Sequence, residues 1–158
     1  MKIRSKLLLV LGVTLSAFVF TSPAAQAAPL EDRVQADFTF TRQGQQVTCT
    51  VVGTSSFELA FELEGKWYSG MNARTALSDT DPACSSAVRS ATAALVWFRR
   101  EGEIPLGAAS TTAQDDHVEL DLTVKGAPRV VRGDHGIVFE CDESPVEGCD
   151  FRFATAPK

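Results

Sequence analysis

The chain reads as an all-β protein, an immunoglobulin-like antiparallel β-sandwich of about eight or nine short strands held by two disulfides. Three observations predict that class. Apolar residues recur at every second position from Arg33 onward, turn-forming clusters interrupt them at regular spacing, and there are four cysteines. A period of two is what a strand with one buried face requires. A small closed β-barrel is the alternative, since short alternating strands build both.

Val34, Ala36, Phe38 and Phe40 alternate with polar residues, Gln43-Gly44-Gln45 turns the chain, and Val47, Cys49 and Val51 resume the pattern as a hairpin. Phe57, Leu59, Phe61 and Leu63 against Glu58, Ala60, Glu62 and Glu64 predict one strand with an apolar and an acidic face. Glu64-Gly65 turns it back into Lys66-Trp67-Tyr68. From Met71 to Ser90 the pattern fits either a loop or a short helix opened by Asp81-Pro82, with Cys84, Ala87 and Val88 along one side.

Ala91, Ala93, Leu95 and Trp97 share one parity while Val96 and Phe98 occupy the other, as in a central strand. Glu101-Gly102-Glu103 turns the chain, and Pro105 places the next segment at a sheet edge. Val118, Leu120, Leu122 and Val124 form the most regular strand, broken by Gly126-Ala127-Pro128. Gly133-Asp134-His135-Gly136 reads as a turn, Ile137, Phe139 and Cys141 as the next strand, and Phe151 and Phe153 close the chain after a Ser144-Pro145 loop.

Residues 1–27 carry Lys2, Arg4 and Lys6, an apolar run from Leu7 to Phe20 and the ending Ala25-Gln26-Ala27. That order is a secretory signal peptide, and the run is shorter than the ~20 residues of a membrane span. Cleavage after Ala27 leaves 28–158 as a single soluble extracellular domain, with no membrane association thereafter. The signal removes three of the 15 basic residues and none of the 20 acidic ones, so the mature chain is more acidic than the net −5 of the full sequence. Such a balance opposes nucleic acid and anionic lipid, which need a basic footprint.

In an oxidising compartment the cysteines form disulfides. Cys141 and Cys149 flank a short stretch with Ser144, Pro145 and Gly148, which suits a hairpin mouth; Cys49 then pairs with Cys84. Loop entropy assigns these closures about 2.5 and 3.8 kcal/mol respectively. The spacings contain no C-x-x-C knuckle, so neither a metal nor another cofactor is expected. Asp115, Asp116, His117, Glu119 and Asp121 form an acidic run, but same-face strand neighbours lie about 7 Å apart, too far for three of them to share one small ion.

No G-x-S-x-G elbow is present and no serine neighbours a histidine, so no catalytic residue is assigned. Arg132-Gly133-Asp134 lies in the predicted turn, where it matches both an adhesion tripeptide and an ordinary turn sequence. The recognition surface is expected around Lys66, Trp67, Tyr68, Asn72 and Arg74: Trp67 and Tyr68 point to opposite faces of an extended backbone, so one of them reaches solvent. The reading is a secreted binding module or inhibitor acting through protein–protein interaction, with an extracellular protein or a glycan as partner. A small-ligand carrier is the alternative, and a hydrolase built on carboxylates comes last.

Overall fold

Tight turns close both hairpins of the first sheet. In the computed structural model, which describes residues 30–155 apart from Leu59, Glu101, Ala127 and 143–148, β1 (Leu30–Arg42) and β2 (Gln45–Phe57) pair along their whole length. Gln43 has φ 51° and Gly44 72°, the left-handed pair of a two-residue hairpin turn. β3 (Phe61–Leu63) and β4 (Lys66–Leu77) are joined in the same way, with Glu64 at 51° and Gly65 at 72°. The signal segment 1–27, Leu59 and the Ser144-Pro145 loop of the sequence reading fall outside the described residues.

The alternation expected to run unbroken from Phe57 to Leu63 is interrupted. Phe57 pairs with Met71 and Phe61 with Tyr68, so the stretch 57–61 carries one residue more than the 68–71 stretch it opposes. That excess is a bulge, and it moves every following side chain to the other face. Phe57 stays in the core, whereas Phe61 stacks on Tyr68 and Leu63 is exposed. β3 therefore continues β2 along one flank of β4, and β7 (His117–Lys125) takes the other flank.

Met71 to Leu77, left open as loop or helix by the sequence, continues β4 because Met71, Ala73 and Thr75 keep the inward parity and are buried. The helix that follows, α1 (Pro82–Ala87), is short and well capped: the Asp81 side chain accepts from the Ala83 N–H at 2.8 Å, and Pro82 occupies the first turn. Its buried residues are Cys84 and Ala87. Cys84 is bonded to Cys49 of β2, which anchors the helix to the first sheet. Arg42 adds hydrogen bonds to the Ala83 carbonyl and the Ser86 hydroxyl.

The second sheet has the order β6 (Gly107–Ala113), β5 (Val88–Phe98), β8 (Val130–Phe139), β9 (Cys149–Thr155), all antiparallel. Pro105 does precede an edge strand. Cys141 and Cys149 bridge the mouth of the β8–β9 connection. The stretch Gly133-Asp134-His135-Gly136 is not a turn: it runs through the middle of β8, because inward Val131, His135, Ile137 and Phe139 hold the strand in register with β5. Arg132 and Asp134 consequently sit on the outer face, ion-paired at 3.1 Å, rather than on a loop tip.

The protein is thus all-β, two antiparallel sheets sharing one core. The first contributes Phe40, Val51, Met71 and Ala73, the second Ala91, Leu95, Val131, Ile137 and Phe139. Each large aliphatic or aromatic side chain buried there contributes about 1.5–3 kcal/mol. Phe38, Phe40 and Phe139 stack at ring separations of 5.0 to 6.2 Å. In the immunoglobulin arrangement the disulfide joins the two sheets. Here it joins β2 to α1, and β4 lies between β2 and β7.

Candidate functional site

Strand direction decides which loops meet. β4 runs away from its hairpin with β3, while β5 runs back from α1, so the β3–β4 turn, the β5–β6 connection and the β7–β8 connection gather at one end. Backbone hydrogen bonds tie them together: Gly126 N–H to the Trp67 carbonyl at 2.7 Å, Arg129 N–H to Phe98 at 3.0 Å, and Leu106 N–H to Trp97 at 2.8 Å. Both disulfides, α1 and the β1–β2 turn lie toward the opposite end.

The large hydrophobic residues exposed among the described ones all lie toward this end. Leu63 is 57 %, Trp67 56 %, Leu106 54 % and Ile104 88 % exposed, and Leu30 begins β1 opposite Phe57. Leu63 shares the outer face with Tyr68 while Trp67 keeps the inward parity of Met71, so the two flank this end on opposite faces; their common location at one end makes it the candidate interaction surface. Five exposed cations surround it: Lys66, Arg99, Arg100, Lys125 and Arg129, together with the exposed acids Glu62, Glu64 and Glu103.

Of the five residues singled out from the sequence, Lys66 and Trp67 stand at this tip. Tyr68 is half-buried with its ring 6.1 Å from that of Phe61. Trp67 and Tyr68 do take opposite faces, and Trp67 is the one that reaches solvent. Asn72 and Arg74 lie further along the outer face of the first sheet, away from the tip. The Asn72 side-chain NH2 donates to Glu119 Oε1 at 2.8 Å and to Asp121 Oδ1 at 2.7 Å. Ile104, Leu106 and Leu63 were not singled out from the sequence; the signal for the first two was an apolar pair flanking Pro105 directly after a turn.

The acidic run divides into two structures. Glu119 and Asp121 clamp Asn72, while Asp115 and Asp116 of the connection before β7 and His117 at its first position hold ligand-type atoms within 4.8 Å of one another. The His117 Nδ1 lies 3.0 Å from Asp116 Oδ1, and this hydrogen bond raises the imidazole's pKa and lowers that of the carboxyl. All three side chains reach solvent.

His135 is not in a turn but between the sheets, 2 % exposed. Two glycines make the room. A Cβ on Gly53 would stand 2.5 Å from the imidazole, and one on Gly133 2.8 Å from Nε2. The tautomer follows from counting protons, since each hydroxyl has one to give. Thr75 donates to the Thr92 carbonyl at 2.9 Å, so it accepts from Nδ1–H at 2.8 Å. Nε2 is then bare and accepts from Thr155 at 3.2 Å, which accepts from Ser55 at 2.7 Å. The chain is closed and neutral, and burial pushes the His135 pKa down to about 4 against a smaller opposing pull from Asp134. Ser55 is fully buried and separated from the imidazole by Thr155, so this is not a nucleophile with its base.

On the outer face of the second sheet a shallow trough of about 540 Å³ is lined by Thr92, Ala94, Asp134, Gly136, Val138 and Arg152. Small side chains create it. Among the described residues no helix is long and apolar enough to cross a membrane. Comparison of the chain with protein-family models, curated proteins and solved structures finds no match among any of them.

Proposed function

We propose that this chain is a secreted, soluble binding module or inhibitor that acts through protein–protein interaction, and that its recognition surface is the end where the β3–β4, β5–β6 and β7–β8 connections meet. The observation that carries the reading is the gathering of Leu63, Trp67, Ile104 and Leu106 in solvent at that end. An exposed Trp at the same end as other exposed apolar residues and arginines has the composition of an interface hot spot. The two-residue turn at Glu64-Gly65 holds Trp67 on a short rigid hairpin, so little conformational entropy is lost on docking. The basic, apolar and small-residue order of residues 1–27 and the two disulfides support an extracellular setting. A rim of Lys66, Arg99, Arg100, Lys125 and Arg129 suits a partner surface bordered by carboxylates.

A photo-cross-linker placed at position 67 of the mature protein in culture fluid tests this, with a second probe at Thr48 near the opposite end as control. The expected result is one protein adduct from position 67 that excess wild type competes away and the Leu63→Asp/Ile104→Asp double variant does not. An adduct insensitive to competition, or formed equally from Thr48, overturns the reading. The trough beside Gly136 supports the second reading, a small-ligand carrier. There, Ala94→Phe would abolish ligand-induced stabilisation and leave the adduct from position 67 intact.

A further inference from the structure

Besides the three-residue β3, which pairs with β4 alone and carries Glu62, the two sheets end in four edges, β1 and β7 in the first, β6 and β9 in the second. An edge strand offers a row of unpaired N–H and C=O groups to any other strand, and side-chain charge is the usual protection. β1 carries Glu31, Asp32, Arg33 and Asp37; β7 carries Glu119, Asp121 and Lys125; β9 carries Asp150 and Arg152. β6, with the sequence GAASTTA, carries neither a charge nor a proline. Its uncharged stretch extends from Ile104 to Gln114 in a chain where 22 % of residues are charged. Among the described strands it pairs with β5 alone.

Exposure agrees. Ala109, Thr111 and Ala113 point inward yet are only half-buried, whereas Ala91, Ala93 and Leu95, which face them across the β5–β6 ladder, are fully buried. The inner face is only partly covered along this flank.

We propose that β6 pairs antiparallel with β6 of a second copy, forming a two-fold dimer with one continuous sheet. A two-fold axis through a strand edge pairs that edge with itself, so each edge can be judged by what it would oppose. Full overlap of β7 sets Asp121 against Asp121, and of β9 sets Arg152 against Arg152; full overlap of β1 opposes no like charges but sets Asp32 against Phe40 and Arg42 against Leu30, charges against apolar groups. Like charges directly opposite are destabilising. Full overlap of β6 centres on Ser110, with Ala109 against Thr111, Ala108 against Thr112 and Gly107 against Ala113. Every one of these pairs is small and neutral. Self-complementarity of this kind selects a second copy as the occupant over a foreign peptide, which would bring no reason for a symmetric, charge-free edge.

The dimer does not depend on the binding surface described above, but it has a consequence for it. The two-fold reverses strand direction, so the ends bearing Trp67 point opposite ways and the assembly is bivalent. Linked sites gain avidity only if both can be engaged, which here means bridging two partners.

Sedimentation equilibrium of the mature protein across a concentration series tests the proposal. Wild type is expected at twice the monomer mass with a melting temperature that rises with protein concentration, and Ser110→Lys and Ser110→Asp each at the monomer mass with cooperative unfolding retained and a melting temperature independent of concentration. Ser110 is exposed on the outer face, and Thr112→Lys provides a second variant of the same kind. An equimolar mixture of the Lys and Asp variants is expected to recover the two-fold higher mass, because the charges opposed at the axis then attract. Amide exchange along 107–113 should be slow in wild type and fast in either single variant. A wild type that stays monomeric, a dimer indifferent to Ser110→Lys, or a β6 edge protected only by a different protein overturns it.

Discussion

Acidification tests the buried histidine most directly. His135 is neutral, enclosed, and held by Thr75 and Thr155, with a pKa of about 4 against 6.5 for a free imidazole. In the unfolded chain it takes up a proton near pH 6.5; in the folded chain it resists until about pH 4. A depressed pKa means that the stabilisation is complete above 6.5 and is lost as pH falls from 6.5 toward 4. The linkage amounts to on the order of 3 kcal/mol between pH 7 and pH 4. Carboxylates titrate in the same range, so the informative quantity is a difference between two proteins. His135→Phe keeps an aromatic ring in the space beside Gly53 and Gly133 while Thr75 retains the Thr92 carbonyl. At pH 7 wild type should be the more stable by about 1–3 kcal/mol, because the variant leaves hydroxyls without their imidazole partner. Urea unfolding of both at pH 7 and pH 4 should show that advantage shrinking, cancelling or reversing by pH 4. Parallel stability curves across this range would refute the claim that His135 is buried in the neutral form.

Gly53→Ala and Gly133→Ala should each cost about 1–3 kcal/mol in thermal or urea unfolding, since the added methyl meets the imidazole with no flexible neighbour to yield. Opening the Cys49–Cys84 bond with Cys49→Ser/Cys84→Ser should destabilise more than opening Cys141–Cys149, by about 1 kcal/mol on loop entropy alone; the reverse order in denaturant midpoints would point to native-state contacts in the shorter loop. Trp67→Ala should leave the melting temperature within the range of a surface change, about 0.5 kcal/mol either way, while lowering affinity for the cross-linked partner at least tenfold. His117→Ala should affect neither, because the imidazole is exposed and bonded only to its own turn.

The all-β class, the first hairpin and the Cys141–Cys149 pairing were legible in the sequence because each depends on local geometry: a period of two, a turn glycine, a short loop between sulfurs; Cys49–Cys84, 35 residues apart, followed as the remaining pair, and Asp81-Pro82 offered the start of α1 as one of two readings. Charge-free Gly107 to Ala113 was equally legible as a run of letters. Its place at an edge came from Pro105, but its exposure beside three charged edges did not, since an edge is defined by which strand fails to arrive.

Only the tertiary structure decided the rest. Alternation across Phe57, Leu59, Phe61 and Leu63 carried no trace of the bulge that turns Phe61 and Leu63 outward, because bulges are counted against a partner strand, and β4 is that partner. The glycines around His135 look like a turn when read along the chain. Between two sheets Gly133, with Gly53 of β2, is the space for an imidazole held by Thr75 of β4 and Thr155 of β9, all remote from one another in sequence. The same holds for the apolar tip: Leu63, Trp67, Ile104 and Leu106 belong to two separate connections, and only strand direction brings those connections to one end. Local patterns therefore determined which segments are strands; which faces are wet and which loops meet follow from pairing between distant segments, where a one-residue offset reverses the answer.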